Sequence, residues 1–449
     1  MKKSIILILA CALMAVNAGA QSFPQAFFLD GYRLGYRYNP ALQADTPFLA
    51  LGQWGSRSRN NIGAESFLYR RGDELVTAFH SSVSAQEFLG NLKDVNSMGG
   101  QYDVHLLSYG WKKGPAFHTL EANVRAQYSL SVPKDIFSIL KQGTSGKNYR
   151  LDGMQVAGNA YIELAYGYSR QLADWVSVGA RAKLLVGMES LRYRLTQLDM
   201  TFTEQEYRAD IQADLSLTSH WNKVGTDKDG YLSFLNLNPK DRRFLPSGAG
   251  LALDLGVVLT PLEGLSLSAS VTDLGGLFWY YGNSGQSKGS VNFTGLEGLG
   301  MDDLNADGLK EKLNEQLDQF KQTLKLKPVR SQTLFEPVPF QANLAVRYKL
   351  PFYRALSLGA TGNYVGTKEM PYMEAQGVLA WNPWSWLGVV ASGGSGSLGP
   401  VWGAAVHAAF KNFRLTVGYS NGFGGTIPYT STPVKANSRQ LTAGLTYDL

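Results

Sequence analysis

The last nine residues set the pattern by which the rest of the chain is read. Leu441, Ala443, Leu445, Tyr447 and Leu449 alternate with Thr442, Gly444, Thr446 and Asp448. Side chains of a β-strand point to opposite faces with a period of two, so this segment predicts a strand with one apolar and one polar or small face. The period recurs along the chain. Leu120, Ala122, Val124, Ala126 and Tyr128 oppose Glu121, Asn123, Arg125 and Gln127, and the apolar positions of Val176 to Val186 oppose Ser177, Gly179, Arg181 and Lys183. The same holds for Leu251 to Leu259 against Ala252, Asp254 and Gly256, and for Leu265 to Val271 against Ser266, Ser268 and Ser270. It holds again for Leu344, Val346 and Tyr348 against Asn343, Arg347 and Lys349, and for Phe413 to Tyr419 against Arg414, Thr416 and Gly418. These runs reach about ten residues, the length a tilted strand needs to cross a bilayer.

Periodicity alone does not say which face is inside. A soluble barrel or sandwich would turn the apolar face inward, and a membrane barrel would turn it to lipid. Beyond the N-terminus no apolar run approaches the ~20 residues of a membrane helix, so a membrane role requires the other permitted architecture, a closed barrel. Aromatic residues at strand ends (Trp175, Trp279, Tyr280, Tyr281, Trp381, Trp384, Trp386 and Trp402) suit an interfacial girdle. The expected fold is therefore all-β: a transmembrane antiparallel β-barrel with short helices in its loops. A secreted soluble β-protein is the alternative.

Short turns are expected near Lys113-Gly114, Ala173-Asp174, Pro261 to Gly264, Phe352 to Arg354, Asn382-Pro383 and Lys411-Asn412. With a first strand near Phe48 to Trp54 and a last from Gln440, they give about fourteen strands, within a range of twelve to sixteen. Ile62 to Arg71 and Tyr207 to Ser219 read as extra strands or as hairpin extensions beyond the membrane. Long connections fall at about 55–100, 131–155, 199–247, 281–334 and 422–437. Helical segments are expected near Ser84 to Leu92, near Lys134 to Lys141, and along Leu309, Leu313, Leu317, Phe320 and Leu324. Gly393 to Gly399 reads as a loop between strands.

The N-terminus places the compartment. Lys2 and Lys3 precede a short apolar stretch and Ala18-Gly19-Ala20, which reads as a signal peptide over residues 1–20 cut before Gln21. A lipoprotein cut at Cys11 is the alternative. Cys11 is the single cysteine, so its loss with the leader would exclude disulfide scaffolds, thiolate metal sites and cysteine catalysis. The expected location is the Gram-negative outer membrane, with outer-membrane lipid and the barrel-assembly machinery as partners. The barrel occupies 21–449, with 21–45 as a plug-like segment. Net charge is +6 and the basic residues are scattered, which argues against nucleic acid.

Little in the chain carries catalytic chemistry, and no enzyme is expected. The histidines His80, His105, His118, His220 and His407 lack metal-ligand spacing, and no P-loop or H-E-x-x-H motif occurs. Asp303, Asn305 and Asp307 match the first half of a calcium loop, but the twelfth position is Asn314; the other reading is an acidic helix start. Calcium is the one cofactor this leaves open. Thr226 to Gly230 reads as a turn. Glu121, Arg125, Glu163, Arg181, Lys183, Asp254, Arg347, Lys349, Arg414 and Asp448 would all line the lumen. That makes either a wet path for a polar solute or, with signs so mixed, an ion-paired and closed interior.

Several stretches resemble a family of uncharacterised outer-membrane barrels known only as a domain of unknown function. They are Glu87-Phe88-Leu89, Leu106 to Gly110, Val132 to Asp135, Glu163 to Arg170 and Gly179 to Gly187. Asn39-Pro40-Ala41, after Tyr38, is similar to the Asn-Pro-Ala stretch of FadL-type transporters and PorV-like barrels. That resemblance implies fourteen strands and an N-terminal plug, but assigns no fatty-acid site. Two functions stay open: passage of a small compound, hydrophobic ones included, across the outer membrane, or a closed scaffold docking a surface or secretion-system partner through its long loops.

Overall fold

The computed structural model describes residues 24–449, except 144–148, 151–152, 203–206, 223, 234–242, 281, 294–322, 324, 369 and 423–433. Fourteen strands of the described residues close into one antiparallel barrel. They are β1 (Phe48–Asn60), β2 (Val95–Lys113), β3 (Ala116–Pro133), β4 (Gln155–Ala173), β5 (Val176–Phe202), β6 (Gly248–Leu262) and β7 (Leu265–Trp279). The second half comprises β8 (Phe340–Lys349), β9 (Leu356–Gly366), β10 (Tyr372–Trp384), β11 (Leu387–Gly396), β12 (Gly399–Phe410), β13 (Phe413–Gly422) and β14 (Asn437–Asp448). Each strand pairs with the next in sequence. The seam is closed by β1, which pairs β2 on one side (Phe48↔Gly110) and β14 on the other (Phe48↔Asp448). Closure leaves no unpaired edge, the condition for strands to cross lipid.

The polarity is that of a membrane barrel. Leu255, Val417 and Leu445 are exposed on the outer surface, whereas Arg181 and Asp254 are buried inside. Along β4, Leu164, Tyr166 and Tyr168 face out while Glu163, Ala165 and Ser169 face in. Trp381, Trp384 and Trp386 cluster on the exterior at one end, the last two stacked at 5.1 Å.

The two ends differ. At the turn end, β2–β3, β4–β5, β6–β7 and β12–β13 are joined by tight hairpins, and both β1 and β14 have their outer termini there. The β10–β11 turn falls at Ser385-Trp386, because β10 carries Asn382-Pro383 within it. At the loop end one expectation is corrected. Gly393 to Gly396 is strand, paired through Gly393↔Trp402 and Gly396↔Gly399, so only Ser397-Leu398 turns. Small residues pair in a ladder as well as large ones, and the glycine run gives no turn by itself.

The two smaller helical expectations appear as α1 (Ala85–Gly90), capped by Ser84 Oγ accepting from Glu87 N at 3.0 Å, and α2 (Lys134–Gln142). The third, at 309–324, lies outside the described residues. Leu68–Arg71 pairs with Glu74–Thr77 in a small hairpin. Tyr207–Ser219 pairs with the end of β5 and with Asn283–Phe293. β6 leaves β5 at Gly187, so the last part of β5 and these two strands form a wing beyond the barrel rim.

Candidate functional site in the barrel interior

The N-terminal segment lies inside the barrel. Two short 3-10 turns, Pro24–Phe28 and Gly35–Arg37, carry it. Phe27, Phe28 and Leu29 pack on inward small residues of the far wall, among them Ala345, Ala380 and Ala405. Leu34 and Tyr36 pack with Phe48, Ala50 and Phe117. Polar ties run to strands all round the wall. Gln25 Nε2 donates to Ser392 Oγ at 2.7 Å, and Asn382 Nδ2 donates to Phe28 O at 3.1 Å. Asp30 meets Arg347 at 2.8 Å and Lys349 at 2.9 Å. Burial opposes ionisation of Asp30, but Arg347 and Lys349 outweigh it and hold its carboxyl below its ordinary range. Arg33 reaches Asp448 at 2.8 Å, and the same carboxylate accepts from Arg414 Nε at 2.7 Å.

Asn39 is fully buried. Its Nδ2 lies 2.9 Å from Val257 O and 2.8 Å from Ser268 Oγ, and its Oδ1 accepts from Ala41 N at 2.9 Å. Two inward glycines make room for it. A Cβ at Gly256 would stand 1.9 Å from Asn39 Oδ1, and one at Gly179 would stand 2.2 Å from Pro40 O. The Asn39-Pro40-Ala41 stretch thus occupies a notch in β5 and β6 that any side chain there would fill.

Beside the plug lies a layer of charge. Arg181 bridges Glu121 at 3.0 Å and Asp254 at 2.8 Å. Lys183 meets Asp254 at 2.7 Å and Asp273 at 2.5 Å. Arg125 contacts Asp103, Glu163 and Asp273 at 2.8–3.1 Å. Arg37, from the plug, joins Asp103 at 2.8 Å and Glu121 at 3.2 Å. All nine side chains are buried. The signs nearly cancel, so each charge is compensated where water is scarce. Asp273 enters the layer through a bulge: it has φ of 64°, and its N–H donates to Asp254 Oδ1 at 2.7 Å. Asp is among the few non-glycine residues that tolerate this conformation.

Toward the loop end the interior opens into a cavity of about 370 Å³. Arg57 and Arg59 of β1, Asn159, Arg192, Val338 and Phe340 are on its wall. Arg192 is held by Glu336 at 3.0 Å, and Glu336 also accepts from Trp279 Nε1 at 2.9 Å. Pro337 and Pro339 stand where β7 passes from one partner to the next, and between Thr272 and Gly276 its ladder is reduced to Val338 N donating to Gly275 O at 3.0 Å.

The structure brings Glu121, Arg125, Glu163, Arg181, Lys183 and Asp254 into one layer. It sets Arg347 and Lys349 on Asp30, and Arg414 with Asp448 on Arg33. Asp303, Asn305 and Asp307 lie outside the described residues. Among the described residues no group of His, Cys, Asp and Glu could hold a metal ion. Thr226 to Gly230 forms a turn on Asp227, whose carboxylate accepts from Asp229 N and Tyr231 N. Sequence reasoning missed Asp103, Asp273, Arg37, Arg57 and Arg59. For the first two, a bulge displaces the two-residue count.

No curated protein matches the chain. Among solved structures it is similar to the P. putida toluene transporter TodX, at 11% identity over 91% of this chain and 92% of that one, TM-score 0.42. It is also similar to the Ralstonia pickettii toluene transporter TbuX, at 9% identity, 95% and 97% coverage and TM-score 0.43. A Pseudomonas aeruginosa FadL homologue gives 11% identity, 96% coverage of each chain and TM-score 0.44. A family model described as a family of unknown function, DUF5723, matches residues 40–419, from the plug to β13. The chain is a member of the DUF5723 family.

Proposed function

We infer that the protein is an outer-membrane barrel that admits a small compound at its loop end and releases it at its turn end when the N-terminal segment shifts. One observation carries this: a cavity lies at the loop end, and much of the remaining interior is filled by a separate segment packed on the wall and not part of it. The segment is tied by ion pairs and by a glycine notch, contacts that can be broken and remade without unpairing a strand. In this reading the turn end faces the periplasm and the loops face outward.

Swelling of proteoliposomes in isotonic arabinose tests it. The full chain should swell slowly, and a chain whose plug is loosened by Asp30→Asn should swell several times faster. If neither exceeds protein-free liposomes, passage is refuted.

One observation favours a second reading. The wing formed by the end of β5 with Tyr207–Ser219 and Asn283–Phe293 lies outside the closed barrel and is not needed for its closure. A scaffold would use such a wing to hold a surface or secretion partner. Pull-down from native membranes, with and without the wing, separates the two readings.

A further inference from the structure

Seven arginines are buried among the described residues: Arg33, Arg37, Arg57, Arg59, Arg125, Arg181 and Arg347. Five of them make ion pairs within 4.0 Å. Arg57 and Arg59 make none with any described residue. Arg57 donates only to neutral amides, Gln341 Oε1 at 2.9 Å and Gln440 Oε1 at 3.2 Å. Arg59 donates to the Met370 carbonyl at 3.3 Å and lies 5.3 Å from the Tyr372 ring centroid. Glu374 is in the same region, accepts from Tyr372 Oη at 2.9 Å, and stays beyond ion-pair distance of both guanidiniums.

The two arginines sit at alternate positions of one strand face, roughly 7 Å apart along β1. Both are more than nine-tenths buried and both line the loop-end cavity. Burying an uncompensated charge is costly, and burying two like charges side by side is more so. Everywhere else in this interior the chain supplies the opposite charge. Here Glu374 attracts both guanidiniums only from beyond contact, and what they face is a cavity.

We propose that the cavity binds an organic monoanion, a small carboxylate with an apolar body, whose head is held by Arg57 and Arg59. Guanidinium forks match carboxylate geometry, and two of them can share one head. Phe340, Tyr364, Met98, Met370 and Val338 offer the body apolar and aromatic surface. Inorganic phosphate fits less well, because it has no apolar body to meet that surface. The volume bounds the ligand to a compact molecule at the small end of ordinary ligand sites. The assignment rests on the passage reading for its physiological meaning, and it names the class of compound that would be carried.

Binding is measured on the purified full-length protein in detergent by titration calorimetry, with sodium benzoate as probe. Benzyl alcohol, which keeps the apolar body and drops the charge, and inorganic phosphate are the comparators. Benzoate should bind at least tenfold more tightly than either. Arg57→Gln and Arg59→Gln should each weaken it at least tenfold, with the barrel fold verified by heat-modifiable gel mobility. Equal binding of benzoate and benzyl alcohol, preference for phosphate, no binding of any probe, or undiminished benzoate binding by a folded double variant would each overturn the proposal. The titration requires no flux and arabinose swelling requires no anion, so the two readings fail separately.

Discussion

Arg181 states at the scale of one side chain what holds this interior together. It is buried and touches Glu121 and Asp254, each of which has only a few other cations in reach. Replacing it with Met fills the space but leaves two carboxylates facing each other without their shared counter-ion. Breaking a buried pair from one side costs about 3–5 kcal/mol. Arg181→Met should therefore lower the urea midpoint of the detergent-solubilised barrel substantially, and Arg181→Met with Asp254→Asn should recover part of the loss. A single variant as stable as the parent would show that the layer is wet enough to need no pairing. These residues were legible in the sequence because a charge on the polar face of a strand that is otherwise greasy outside has only the lumen to enter. Asp103 and Asp273 were not, since each neighbours a bulge. In β2 the register shifts between His105 and Leu107, putting Leu106 and Leu107 both on the exposed side and breaking the count that Asp103 would have completed. Arg57 and Arg59 were missed because the first strand, read as ending at Trp54, continues to Asn60.

At the scale of the element, the plug and the wall were designed for each other by subtraction. Nothing in Asn39-Pro40-Ala41 alone says where it docks. The complementary signal is the pair Gly179 and Gly256 on inward positions of β5 and β6, where alternation asks for a side chain and the sequence provides none. Gly256→Val should leave the strands paired, since valine suits a strand, while driving Asn39 from its notch. Cys11 is the chain's single cysteine, so in a Cys11→Ser background a cysteine placed at Ala41 is unique. Its reaction with a water-soluble maleimide should be slow when the notch is intact and at least tenfold faster with Gly256→Val. Equal rates would mean that the notch does not seat the segment. The strands themselves were legible wherever one face was uniformly apolar, and the turn end was read to within three residues. The loop end was not. There β11 runs through Gly393 to Gly396 without the large alternating residues that mark a strand, and β5 runs on past the rim as part of a wing with no lipid face to declare it.

The whole molecule separates into a part that must be closed and a part that need not exist for closure. Every barrel strand has two hydrogen-bonded neighbours, with the seam made by β1 between β14 and β2. The wing stands outside this count. β6 leaves β5 at Gly187, and from Glu189 onward β5 pairs with Tyr207–Ser219 instead. Glu189 and Ser219 face one another directly in that ladder. Two strand positions so placed can be joined by a two-residue Asn-Gly turn, whose backbone twist matches that of an antiparallel pair. Replacing residues 190–218 with Asn-Gly should therefore give a shorter chain that still closes. It should keep the fast-migrating, heat-modifiable band of a folded barrel and its slow arabinose swelling. The nine-residue charge layer and the plug contacts lie on the barrel side of the cut, which is the reason to expect them to survive, whereas Arg192 of the cavity wall goes with the wing and leaves Glu336 without its cation. Loss of the folded band would mean that the wing braces the rim, and the barrel's stability would then belong to a larger sheet than its fourteen strands.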